Sequence, residues 1–99
     1  MTKVSLFVEL TAKIGKEEIV AKFLADARRL VVAEPATTAW FAVRFDDQTF
    51  AIFDAFEDEA GRSAHLNGAV AAALMGHANE LLVGPPVIRK ANVLADKLP

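Results

Sequence analysis

The chain has 99 residues, 54% of them apolar, no cysteine and a formal net charge of -2. That length holds one core, so a single domain spanning residues 1–99 is expected, and the apolar share excludes a disordered chain. Without cysteine there is no disulfide, thiolate metal site or thiol nucleophile, and a mildly acidic chain with dispersed Lys and Arg is a poor nucleic-acid partner.

Val4 to Ala12 alternates, with Val4, Leu6, Val8 and Leu10 on one side and Ser5, Phe7 and Glu9 on the other, the period of a strand. Glu9 breaks this stretch before a signal-peptide core forms, and no apolar run approaches the roughly 18 residues of a membrane span. A cytoplasmic protein with no membrane partner is expected. After Gly15, the residues Ile19, Val20, Phe23, Leu24, Ala27, Leu30 and Val31 recur at helical spacing from Lys16 to about Ala33, and Pro35 stops the helix.

Thr37 to Phe56 reads as strand, turn, strand, with "DDQT" as the turn. A two-residue loop at Asp46 and Asp47 sets Trp40 opposite Phe53, Ala42 opposite Ala51 and Arg44 opposite Thr49. One face then carries Trp40, Ala42, Arg44, Ala51, Phe53 and Ala55. The other carries Phe41, Val43, Phe45, Phe50, Ile52, Asp54 and Phe56. From Glu57 to Leu82 the chain is alanine-rich and helical, with interruptions expected at "LNG" (Leu66 to Gly68) and "MGH" (Met75 to His77). Pro85 and Pro86 end it, and Val87 to about Leu94 is a last strand.

The order β-α-β-β-α-β is that of an α+β, ferredoxin-like fold: a four-stranded antiparallel sheet with helices on one face. Helices cover only that face. The phenylalanine-rich face, with Phe41, Phe45, Phe50 and Phe56, is expected to be exposed, a patch larger than soluble monomers carry, and a homodimer joined sheet to sheet is the expected remedy. The alanine-rich Trp40 face is assigned to the helices.

Several residues suit a site. His65 is the best candidate for proton transfer, because its ordinary pKa lies near neutrality; the alternative is a half-buried histidine bonded to a carbonyl. His77, next to Gly76, reads as a cap or solvent residue. Trp40 and Phe53 suggest an aromatic floor with room above the neighbouring alanines for a small apolar or aromatic ligand, against ordinary core packing. Arg44 either stabilises a substrate anion or pairs with a nearby acid. Asp54 interrupts an apolar face, either to cap the next helix or to reach Arg89 or Lys90 across a dimer. No phosphate loop, nucleophile elbow or metal-ligand spacing is present.

"AWFAVRF", "FAIFDAFEDEAGRSAHLNG" and "ELLVGPPVIRKANVLADKLP", in this order, resemble the antibiotic biosynthesis monooxygenase (ABM) family of dimeric α+β barrels. The resemblance spans nearly the whole chain. It implies a small aromatic or quinol-like substrate oxygenated by molecular oxygen with no metal, flavin or other cofactor: a bound phenol loses a proton and the electron-rich anion reduces oxygen. His65 matches the histidine that follows the acidic start of the second helical region, and so is the catalytic candidate. Trp40, Phe53 and Asn67 match pocket positions. Haem-degrading relatives carry a Trp where this chain has Ala55 and a first-strand Asn where it has Val8, Glu9 and Leu10, so haem cleavage is not implied. A noncatalytic dimer that holds an apolar ligand or acts as a scaffold is the alternative.

Overall fold

The structure, a computed structural model, describes residues 2–99. In chain order it contains β1 (Val4–Thr11), α1 (Glu17–Val31), β2 (Thr37–Arg44), β3 (Thr49–Phe56), α2 (Glu59–Leu66), α3 (Ala69–Leu81) and β4 (Val87–Asn92). The strands form one antiparallel sheet in the order β2-β3-β1-β4, the ferredoxin-like arrangement read from the sequence. Among the described residues no helix is long and apolar enough to cross a membrane.

The second helical region divides at Asn67 and Gly68, as expected, but α3 runs unbroken through Met75, Gly76 and His77. A glycine inside a helix costs about 1 kcal/mol relative to alanine. Burial of Val70, Leu74, Ala78 and Leu81 along one side of α3 outweighs that cost.

The hairpin corrects the expected register. Asp46 Oδ1 accepts from the backbone amides of both Gln48 (3.0 Å) and Thr49 (2.9 Å). This turn uses three residues, and the Phe45 amide donates to the Thr49 carbonyl at 2.8 Å. Trp40 therefore lies opposite Asp54, Ala42 opposite Ile52 and Arg44 opposite Phe50. Because the side-chain period is two, a shift of one residue carries the whole of β3 to the other face.

One face of the sheet, toward the helices, thus carries Trp40, Ala42, Phe50, Ile52, Asp54 and Phe56, continued by Leu6, Val8 and Leu10 of β1. The Trp40 strand face meets the helices, as expected. Val20 and Leu24 of α1 and Leu74, Ala78 and Leu81 of α3 close this core. The open face carries a row of Phe41, Phe53, Phe7 and Arg89 across the four strands, beside a row of Ala39, Ala55, Ser5 and Ala91. Phe50 and Phe56, expected on that open face, are fully buried under the helices, and Phe53 takes their place in the exposed set.

Candidate functional site

A carboxylate inside the core is costly unless it has a partner. Asp54, on β3 between Ile52 and Phe56, is 1% exposed. Its counterpart is His65 of α2, whose Nε2 lies 3.0 Å from Asp54 Oδ2. The approach is an ion-pair contact without hydrogen-bond alignment, so both carboxylate oxygens of Asp54 lack a hydrogen bond. The other ring nitrogen, Nδ1, lies 2.6 Å from Glu34 Oε1. Thr37 Oγ1 donates to the same Glu34 oxygen at 2.8 Å. Glu34, Asp54 and His65, which stand far apart in the chain, therefore form one line through the wall of the core.

The local sequence explains how they meet. Asp58 caps α2 by accepting from the Gly61 amide at 2.9 Å, which sets the helix so that Gly61, Arg62 and His65 face inward. Gly61 lets α2 approach the segment after α1, since a Cβ there would stand 3.2 Å from the Ala36 Cβ and carbonyl oxygen. That segment, turned by Pro35, presents Glu34. Arg62 holds the far side of α2 through the carbonyl oxygens of Ser5 (3.2 Å) and Ala91 (3.3 Å) and through its contact with Glu59.

Burial pulls the pKa of His65 down, but the carboxylates of Asp54 and Glu34 outweigh it and raise it from 6.5 to about 8. At neutral pH the ring is an imidazolium, held between the two acidic side chains. Phe56 packs against the ring, with centroids 5.4 Å apart. Glu34 and Asp54 occupy opposite edges of the imidazole and do not converge on one point. Among the described residues no group of three or more His, Asp or Glu is placed to hold a metal ion.

Two spaces flank the line. On the inner side is an apolar cavity of about 40 Å³ walled by Leu6, Val8, Ile52, Leu66, Leu74 and Met75, onto which Asp54 and His65 both open. On the outer side a broader basin of about 450 Å³ is bordered by Arg29, Glu34, Thr37, Gly61 and His65. His65 borders both.

The other residues singled out in the sequence fall elsewhere. Trp40 and Phe53 do not form a floor: the three-residue turn puts them on opposite faces of the sheet, and Trp40 packs into the core with Ala27, Val31 and Val70. Arg44 stands at the rim of a separate hollow of about 150 Å³ above Ala42, between α1 and β2. It pairs with Glu18 at 2.8 Å, rather than with Asp46 or Asp47 side chains, and lies over the Phe50 ring. Asn67 ends α2, with Nδ2 donating to the Ser63 carbonyl at 2.9 Å, and borders neither space. His77 packs edge-on against Phe23. Asp54 does not cap α2, which Asp58 does, and it points away from the open face on which a sheet-to-sheet partner would sit. Its signal was present as a lone acid on an apolar strand face. Glu34 had none, because nothing in its spacing relates it to His65.

No protein-family model and no curated protein matches the chain. Among solved structures, the NE2512 protein of unknown function from Nitrosomonas europaea is 60% identical, with a TM-score of 0.98 over 100% of this chain and 96% of that one. A Pseudomonas aeruginosa protein, PA3566, is 22% identical over 96% of this chain and 97% of its own, with a TM-score of 0.81. A second Nitrosomonas europaea protein, provisionally named an antibiotic biosynthesis monooxygenase, is 15% identical over 93% of this chain and 99% of its own, with a TM-score of 0.84. The chain belongs to the family of NE2512, and its fold is the ABM-like one. The resemblance read from the sequence is therefore matched at the level of the fold.

Proposed function

We propose that this ABM-like protein is a cofactor-independent oxygenase, acting as a homodimer on a small aromatic or quinol-like molecule held in the inner apolar cavity. The observation that carries this reading is the buried acid–base pair, Asp54 and His65, opening onto an apolar space. A phenol or hydroquinone placed there loses a proton from oxygen, and the electron-rich anion reduces molecular oxygen and joins it at a ring carbon as a peroxide. Loss of water then leaves one oxygen atom on the ring as a carbonyl, the other departing in the water. The chain need supply only a proton acceptor and a dry wall. A space of about 40 Å³ admits little more than a water. Entry of a ring therefore requires the exposed, flexible Met75 to swing aside.

The homodimer is supported by the open face. Phe41 is 56% exposed and Phe53 39%, and the aromatic row lies beside a row of small side chains, a ridge next to a groove. A second copy turned by a twofold axis sets each ridge in the other's groove. It also gives Glu9 and Arg89, which have no ion pair among the described residues, partners of opposite charge.

Oxygen uptake with menadiol, measured against the uncatalysed rate, tests the activity. Turnover by the wild type that falls in His65→Ala is expected. The absence of any catalysed uptake sinks the reading, and equal rates in the two proteins remove His65 from it. The apolar lining of this cavity, interrupted only by Asp54 and His65 among the residues that border it, suits one alternative, a noncatalytic dimer that holds an apolar ligand; saturable binding of a naphthol without oxygen uptake would select it.

A further inference from the structure

His65 is the histidine that the sequence singles out, yet it is poorly placed to take a proton from a ligand. Both ring nitrogens face carboxylates, at 2.6 Å and 3.0 Å. An imidazolium with both nitrogens protonated has no lone pair to offer. Asp54 is different: it borders the cavity, is 1% exposed, and its Oδ1 has no hydrogen-bond partner among the described residues. We propose that Asp54 is the group that accepts the ligand's proton, and that His65, held by Glu34, is a positioning residue that keeps Asp54 ionised in a dry site. This rests on the function proposed above for its chemical context.

The physical need is specific. A lone carboxylate in an apolar wall takes up a proton at neutral pH and is then no base. The adjacent imidazolium prevents this by favouring the charged form. The imidazolium would itself lose its proton on burial, and Glu34 opposes that from the other edge of the ring. The groups facing His65 are Asp54 and Phe56 from β3 and Glu34 from the segment before β2. Glu34, whose side chain is 20% exposed, borders the outer basin, so its charge is solvated where that of Asp54 is not.

The step balances without any further reactant. The ligand O–H bond breaks, its electron pair stays on the ligand oxygen, and an O–H bond forms at Asp54 Oδ1. When oxygen has joined a ring carbon, Asp54 returns that proton to the peroxide, and the hydroperoxide loses water with the hydrogen of the same carbon, leaving a new carbonyl. The carboxylate is restored with no net uptake or release of protons.

A one-ring phenol whose ionisation is visible, 4-nitrophenol, separates this proposal from the oxygenase reading. At pH 6 the wild type is expected to bind it with a phenolate absorption band, and the isosteric Asp54→Asn to bind it without one. Glu34→Gln is expected to keep the band at pH 6 and to lower the pH midpoint of the His65 titration, followed by NMR, from about 8 by about 1 unit, the effect of one nearby opposite charge. In oxygen uptake with menadiol, Asp54→Asn should fall by about 10²–10⁴-fold, the usual contribution of a positioned base. No binding of the phenol, binding by the wild type without the band, an equal band in Asp54→Asn, or an unchanged pH midpoint in Glu34→Gln overturns the proposal. If the bands behave as expected and the wild type takes up no oxygen, the oxygenase reading fails and the assignment of Asp54 stands.

Discussion

The two faces of the sheet are built from the same kinds of residue and meet opposite fates. Toward the helices, Phe50 and Phe56 are 2% and 0% exposed, and even a carboxylate and an imidazole are sealed in. On the other side, Phe41 and Phe45 are 56% and 63% exposed, with no helix among the described residues to cover them. Apolar character alone does not decide burial; the number of covering elements does, and this chain has helices enough for one face only. The covered face is accordingly where a polar pair becomes chemically unusual, while the open face has only area to offer a partner.

The largest effect should come from the covered face. Phe56→Ala removes a ring that packs on His65 and lies under α2, and is expected to cost about 3–5 kcal/mol in denaturant unfolding. A loss below about 1 kcal/mol would mean that this face is no better packed than the other. Phe41→Asp, on the open face, should leave the unfolding of a single chain nearly unchanged. It should weaken self-association by about 2 kcal/mol or more, as for an interface anchor, and sedimentation at micromolar concentration would then report 10.7 kDa. A wild type that already sediments at that mass removes the partner from the comparison.

The polar pair adds a pH dependence that the open face lacks. The pKa of His65 is raised from 6.5 to about 8, so the folded state binds the proton more tightly than the unfolded chain. The stabilisation is complete below about pH 6.5 and is lost as pH rises through about 8, amounting to roughly 2 kcal/mol. Unfolding curves across that window should show the fall in the wild type, and its persistence in His65→Gln would assign it to another group. The smallest effect expected is that of Gly61→Ala. A methyl 3.2 Å from Ala36 must push α2 from the segment carrying Glu34, costing about 1 kcal/mol. The His65 titration, followed by NMR, should move down toward 6.5 as Glu34 draws away.

The sequence by itself determined the element order, the amphipathic faces of β1 and α1, and the break at Asn67 and Gly68, since each depends on periodicity or on a local backbone preference. It also marked His65, and Asp54 as a misplaced acid. Which strand faces coincide was decided by the turn: Asp46 captures two amides and adds one loop residue, and that single residue sends Phe53 out and Asp54 in. The meeting of Glu34 with His65 belonged to the tertiary structure alone, because it depends on Gly61 letting two segments 31 positions apart come into contact, a closeness that no spacing in the chain encodes.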